Sequence, residues 1–154
     1  MLRFLLAPLY RLRRLVWRVV RPRTRGVKVM LFNAAGELLL VRHSYGNTAL
    51  FMLPGGGIRP FEAPDAAAVR EIREELGCAL DGLAFVSLHS ATSEGKRDTV
   101  HLYRARAAGE IHIDGVEIAE ARYVALDALP AAVSPATRRR IEERLGLREA
   151  SAGW

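Results

Sequence analysis

A single cysteine, Cys78, stands among the 154 residues, so the chain has no internal disulfide and must be held by packing and hydrogen bonds. That fits a reducing compartment. Half of the residues are hydrophobic, yet no unbroken apolar span is long enough to cross a bilayer, which leaves one globular domain with a single core. Internal repeats and low-complexity tracts are missing. Acidic residues are absent from residues 1–25, which carry eight arginines, whereas residues 26–154 have a net charge of −2. The overall charge of +6 therefore belongs to an appendage. A slightly acidic body argues against a nucleic-acid groove running across the domain, so no DNA partner is expected, and leaves the basic arm to meet phosphates of lipid or RNA.

The arm has a pattern of its own. In residues 2–21, Leu2, Leu5, Leu6, Leu9, Leu12, Val16, Val19 and Val20 recur at the helical period, opposite Arg3, Arg11, Arg14, Arg18 and Arg21. A basic amphipathic helix is expected, with Pro8 kinking it or marking its early turn. Such a helix can lie on an anionic membrane surface, or its apolar stripe can pack on the domain or on a second copy of the chain as a homodimer contact. Arginines stand where a signal peptide would need small residues for cleavage, so a cytoplasmic protein is expected, peripheral at the inner face of the membrane if the arm binds lipid.

Beyond Pro22, residues 26–45 hold two apolar runs joined by turn residues Asn33 to Gly36, the signature of a hairpin. Residues 50–62, "LFMLPGGGIRPFE", read as a short strand entering a glycine loop. A helix follows from Pro64 or Asp65 to Gly77, two strands lie at 83–92 and 99–107 around the polar loop "SEGKRD", and another is at 121–126. Ser134 and Pro135 start a last helix that Gly146 stops, with the arginines 138–140 on a solvated face. Strands and helices mix without regular alternation, which predicts an α+β or sandwich-like α/β fold. Cys78 is read as a small buried apolar residue. The four histidines show no metal-ligand spacing, His89 and His101 being expected as neighbours across a strand pair.

The densest chemistry lies at residues 70–77, "REIREELG". On a helix Glu71, Glu74 and Glu75 occupy positions i, i+3 and i+4 and crowd on one face, where like charges repel unless a cation is shared. Ala68, Val69, Ile72 and Leu76 fall on the other side, suited to packing on a sheet. Hard, oxygen-seeking Mg²⁺ is the first choice for such a carboxylate group and Mn²⁺ the second. The Gly55–Gly57 run can bend sharply and bring its carbonyls against a ligand.

Gly56, five residues, Glu62, seven residues, then Arg70 to Cys78: this spacing resembles the Nudix box at each fixed position of the 23-residue signature, residues 56–78. The resemblance implies the Nudix fold, a mixed sheet packed between helices in residues 26–154, here with an extra N-terminal helix in residues 1–25. It implies hydrolysis of a nucleoside diphosphate linked to another group. In that family the carbonyl matching Gly56 and the carboxylates matching Glu71, Glu74 and Glu75 bind the metals, with Glu62 and Arg70 in support. The flanking Gly55 and Gly57 and Arg42, on the second strand, are then substrate-side candidates. The general base is Glu117, its neighbour Glu120, or Glu74 or Glu75, and either loop glutamate can instead face water.

Family signals for particular substrates are missing. Ser93 and Glu94 stand where a proline accompanies ADP-ribose activity, and the tyrosine linked with dinucleoside polyphosphates and the array linked with NADH are absent. Nucleoside triphosphates, damaged nucleotides and nucleotide sugars stay open. The alternatives are an RNA 5′-end pyrophosphohydrolase, or a catalytically idle Nudix fold used as a ligand sensor.

Overall fold

In the computed structural model, residues 23–93, 96–113 and 115–154 are described. The expected N-terminal amphipathic helix lies outside them. Strands β1 (Arg23–Phe32), β2 (Leu38–His43), β3 (Ala79–Ser93), β4 (Lys96–Ala108) and β5 (Ile118–Val124) form one sheet in the order β3-β4-β1-β2-β5. Only β1 and β4 run parallel; the other pairs are antiparallel, so the sheet is mixed. Helix α1 (Pro64–Leu76) and helix α2 (Pro135–Arg144) cover opposite faces.

The two faces follow from strand alternation. Val27, Val29 and Leu31 of β1 join Ala67, Ala68, Ile72 and Leu76 of α1 in one apolar cluster. Met30, with Leu38 and Leu40 of β2, joins Ile141 of α2 and Val133 in the other. Pro64 supplies the first turn of α1, whose end is closed by Gly77 at φ 64°, its N–H donating to the Arg73 carbonyl at 3.0 Å. Ser134 caps α2 by accepting from the Thr137 N–H at 3.2 Å.

The expected hairpin forms, but its strands are in direct register only at Phe32 and Leu38. Farther along they part, and residues 51–58 enter the gap. On one side Val27 N–H donates to the Gly56 carbonyl at 2.9 Å, Val29 N–H to the Pro54 carbonyl at 3.0 Å, and Ile58 N–H to the Arg25 carbonyl at 2.9 Å. On the other, Val41 and Met52 exchange both backbone bonds at 2.9 Å. What the sequence offers as a short strand is thus a wedge of isolated bridges, and it holds the glycine loop in the middle of the sheet.

Three local expectations change. The strands continue through most of the expected polar loop, to Ser93 and from Lys96, because cross-strand pairing satisfies that backbone. His89 and His101 sit one register step apart, opposite Val100 and Leu88 respectively, and therefore on opposite faces. Arg140 is not solvated: its side chain is fully buried, donating to Glu143 at 2.7 Å and to the Ser151 hydroxyl at 2.8 Å. It anchors the C-terminal tail, whose Trp154 N–H donates to the Ser90 carbonyl at 2.9 Å along the edge of β3. Cys78 is buried as expected, and burial pushes its thiol pKa up. Among the described residues no helix is long and apolar enough to cross a membrane.

Candidate functional site

The wedge and α1 bring the sequence-predicted residues together. Arg70, near the middle of α1, is the hub. Its Nε and Nη2 fork onto Glu62 at 2.7 and 2.8 Å, Nη1 donates to Glu71 at 2.6 Å and to Glu74 at 3.1 Å, and Nη2 also donates to the Gly57 carbonyl at 2.9 Å. A planar guanidinium suits this because its five N–H groups leave in a fixed fork. The pairing with Arg70, together with the Arg59 N–H, holds the Glu62 carboxyl down at about 2, and the carboxylates in turn hold the Arg70 guanidinium firmly charged.

The three box glutamates are not equivalent. Glu74 is half exposed and reaches both Arg70 and the Arg59 guanidinium, the latter at 3.1 Å. Glu71 is largely enclosed, its carboxylate against the Cα of Gly56: a Cβ placed on Gly56 would stand 2.4 Å from Glu71 Oε2. Glu75, 6% exposed, accepts from the Gly55 N–H at 2.9 Å. It lies in the buried stripe of α1 with Ala67, Ala68, Ile72 and Leu76, while Val69 is only half-buried. The expected separation of an apolar side from an acidic side therefore fails at this one residue, which sits three residues after Ile72 and seven after Ala68. Burial pushes the Glu75 carboxyl up to about 7, against the pull of Lys28 and the Gly55 N–H, with Glu71 and Glu117 adding repulsion.

Sequence reasoning missed Lys28. Its ammonium donates to the carbonyls of Leu53 at 3.0 Å and Gly55 at 2.9 Å, stapling β1 to the glycine loop beside Glu75. A lysine within the otherwise apolar run from Val27 to Phe32 was the available signal. It also faces His43, whose imidazole is driven down to about 4 by burial and by the nearby ammonium, against a raising hydrogen bond to the Glu117 backbone.

Arg42 and Glu120 fall on β2 and β5, and Glu117 just before β5. Arg42 and Glu120 stand opposite each other in register and form an ion pair, with Nη2 at 2.9 Å and Nε at 3.2 Å from the same carboxylate oxygen. Glu117 lies just before β5, its carbonyl accepting from the Ser44 N–H at 2.9 Å, near enough to Glu75 to raise that carboxyl. Gly55, at φ 126°, packs its Cα against the Val27 carbonyl, leaving no room for a side chain.

The chain matches the NUDIX domain over residues 22–148. It belongs to the NUDIX family. A protein of Bacillus subtilis named "Putative 8-oxo-dGTP diphosphatase" is 31% identical over 121 residues, 78% of each chain. An RNA pyrophosphohydrolase of Roseobacter denitrificans is 43% identical over a shorter stretch of 51 residues, 33% of this chain and 32% of that protein. A MutT NUDIX hydrolase from Burkholderia pseudomallei has the same fold, with a TM-score of 0.72 and 26% identity over 78% of this chain and 96% of that one.

NUDIX hydrolases use divalent cations, and the donor chemistry here fits one: carboxylate and carbonyl oxygens with neither thiol nor imidazole among them. Among the described residues no three such side chains converge on a single point. Glu71 and Glu74 turn to Arg70 and Glu75 to the Gly55 N–H, so a cation would share those oxygens with Arg70 and the loop amide.

Proposed function

We propose that this chain hydrolyses a phosphoanhydride bond in a nucleoside diphosphate linked to another group, with Mg²⁺, or Mn²⁺ in its place, held by the Gly56 carbonyl and by Glu71, Glu74 and Glu75. The observation that carries the reading is the joint placement of the Gly55–Gly57 backbone and the α1 carboxylates, tied by Arg70 and by the Gly55 N–H. The bound cation supplies charge neutralisation on phosphoryl oxygens and a more acidic water. The chain's own residues do the rest. Arg70 and Glu62 orient Glu71 and Glu74, Lys28 fixes the loop that Gly55 and Gly57 present to the substrate, and burial makes Glu75 a carboxylate whose charge a bound cation would stabilise further.

Glu117, close enough to Glu75 to raise that carboxyl, is the first candidate to take a proton from the attacking water, with Glu120, paired to Arg42, the second. Arg42, drawn to Glu120, is a substrate contact only if a phosphate displaces that carboxylate.

A screen of nucleoside triphosphates, oxidised nucleotides, nucleotide sugars and 5′-triphosphorylated RNA, with and without Mg²⁺, tests the reading by product identity. Glu74→Gln and Glu75→Gln should each lower turnover by orders of magnitude, on the scale of lost charge stabilisation in a transition state, and Glu117→Gln should lower kcat with KM unchanged. Full turnover in both box variants would refute the assignment. The RNA 5′-end reading has its own support in the Roseobacter relative and in the arginines of residues 1–25. Those residues are proposed to form an appendage to a domain spanning 26–154 in a cytoplasmic protein, their stripe meeting an anionic membrane or a second copy; sedimentation with anionic vesicles, lost on deletion of 1–25, separates the two.

A further inference from the structure

Far from the box, at the opposite end of β1, the sheet carries a concavity. A cavity of about 510 Å³ opens between the β1–β2 turn and the start of β3, lined among others by Phe32, Gly36, Asp81, Arg104, Arg106 and Arg144. Strand alternation makes it basic. Tyr103 and Ala105 turn into the cluster under α1, so Arg104 and Arg106 turn to the other face, beside their register partners Met30 and Phe32. Arg144, in the last turn of α2, adds a third guanidinium 5.1 Å from the centre of the Phe32 ring.

None of the three arginines forms an ion pair among the described residues. Every other side-chain guanidinium named above in the site or the tail has a carboxylate or a carbonyl to donate to. Asp81 is the one acid in this wall; it stands opposite Arg106 in register without reaching it as an ion pair. Three exposed cations against one anion, around a concavity bounded by turns at Gly36 (φ 80°) and Gly82 (φ 64°), leave guanidinium N–H donors that no carboxylate among the described residues pairs with. Along β1 the distance from Val27, where the glycine loop is bonded, to Phe32 is about 17 Å at roughly 3.3 Å per residue. The cavity is therefore separate from the box.

We propose that this cavity is a second anion site that takes phosphate groups, held by Arg104, Arg106 and Arg144. The groups come either from a small polyphosphate or from the backbone of a single-stranded ribonucleotide, and the chemistry of recognition is the same for both. The site does not depend on the box being active.

Binding to the full chain in EDTA removes the box from the measurement, because without a divalent cation its glutamates repel anions, and the arginines of residues 1–25 are common to every variant compared. Tripolyphosphate is one probe, and a 5′-hydroxyl decaribonucleotide, which has no reactive end, is the other. In Arg104→Ser/Arg106→Ser the affinity for one or both probes should fall by roughly tenfold or more, as expected when two charge-assisted hydrogen bonds are removed. If the decaribonucleotide is the ligand, its salt slope should fall by about 1.4, near 0.7 for each phosphate of a single strand that is no longer neutralised. Asp81→Asn should tighten binding, a gain that misfolding cannot mimic. Mg²⁺-dependent turnover of a free nucleoside triphosphate should be unchanged in both variants. Arginine-dependent binding of tripolyphosphate alone assigns the small ligand, and of the decaribonucleotide alone the nucleic-acid backbone. Binding of both probes that is indifferent to the arginine pair and to Asp81→Asn, or binding of neither, overturns the proposal.

Discussion

Arg70 tests how much of the box is geometry and how much is charge. Five hydrogen bonds leave one guanidinium, to Glu62 twice, Glu71, Glu74 and the Gly57 carbonyl. Arg70→Lys keeps the charge and loses the fork: an ammonium on a shorter reach can serve two or three of those partners, not all from one plane. Taking about 1.5–3 kcal/mol for a hydrogen bond to a charged group, and allowing for strong screening at a site that is only mostly enclosed, the loss in metal-free protein should be ~1–2 kcal/mol. Arg70→Ala removes the charge as well and leaves Glu71 without a partner beside Glu74, for which ~2–4 kcal/mol is expected.

Urea denaturation in EDTA measures both losses, and the midpoint should move without a change in slope. Repeating it with Mg²⁺ adds the second half of the test. The alanine variant should regain a larger share of its loss than the lysine variant, since a cation replaces the missing charge but not the orientation. Activity should order differently, with kcat low in both variants, because Glu71 and Glu74 lose their fixed direction in each. If Arg70→Lys matches the parent protein in stability and kcat, charge alone suffices at this position and the reasoning from the fork fails.

Two of the loop glycines should separate by what a Cβ would meet. Gly55→Ala, 2.3 Å from the Val27 carbonyl at a φ of 126°, should cost more than ~3 kcal/mol in urea melts. Gly57→Ala, with nothing within 4 Å, should cost under ~1 kcal/mol, and equal costs at the two positions would refute the packing argument. Acid stability gives another check through Glu62. Its folded pKa of about 2 lies below its usual 4.5, so its contribution is full above pH 4.5 and is lost as pH falls from there toward 2. Glu62→Gln should therefore flatten the acid limb of the stability profile, and an unchanged limb would show that Arg70 does not hold that carboxylate.

Elements written locally in the chain were legible from it. Pro64 and Gly77 bound α1, Ser134 starts α2, and the Asn33–Gly36 turn joins β1 to β2, because caps and turns are fixed by residues within a few positions of one another. What escaped is set by register between distant strands. Nothing near Lys28 says that it will reach Leu53 and Gly55, and nothing near Arg42 says that Glu120, 78 residues on, will face it. The first follows from β1 and β2 parting to admit residues 51–58 and the second from the register of β2 with β5, both set by the whole sheet.

Glu75 shows where a local reading can still be pushed further. Its place relative to Ala68 and Ile72 puts a carboxylate into the apolar stripe of an otherwise amphipathic helix, at 6% exposure and with one loop N–H for company. Fold stability alone favours an apolar residue there, since a buried carboxyl costs free energy and its pKa rises in response. A sequence that keeps the conflict does so where another group completes the site. The same logic applied to a strand finds Lys28 between Val27 and Val29, both fully buried, and the two misplaced charges lie on either side of the Gly55 backbone. Residues that break the pattern of their own element, rather than residues that fit a motif, thus lead independently to the same loop.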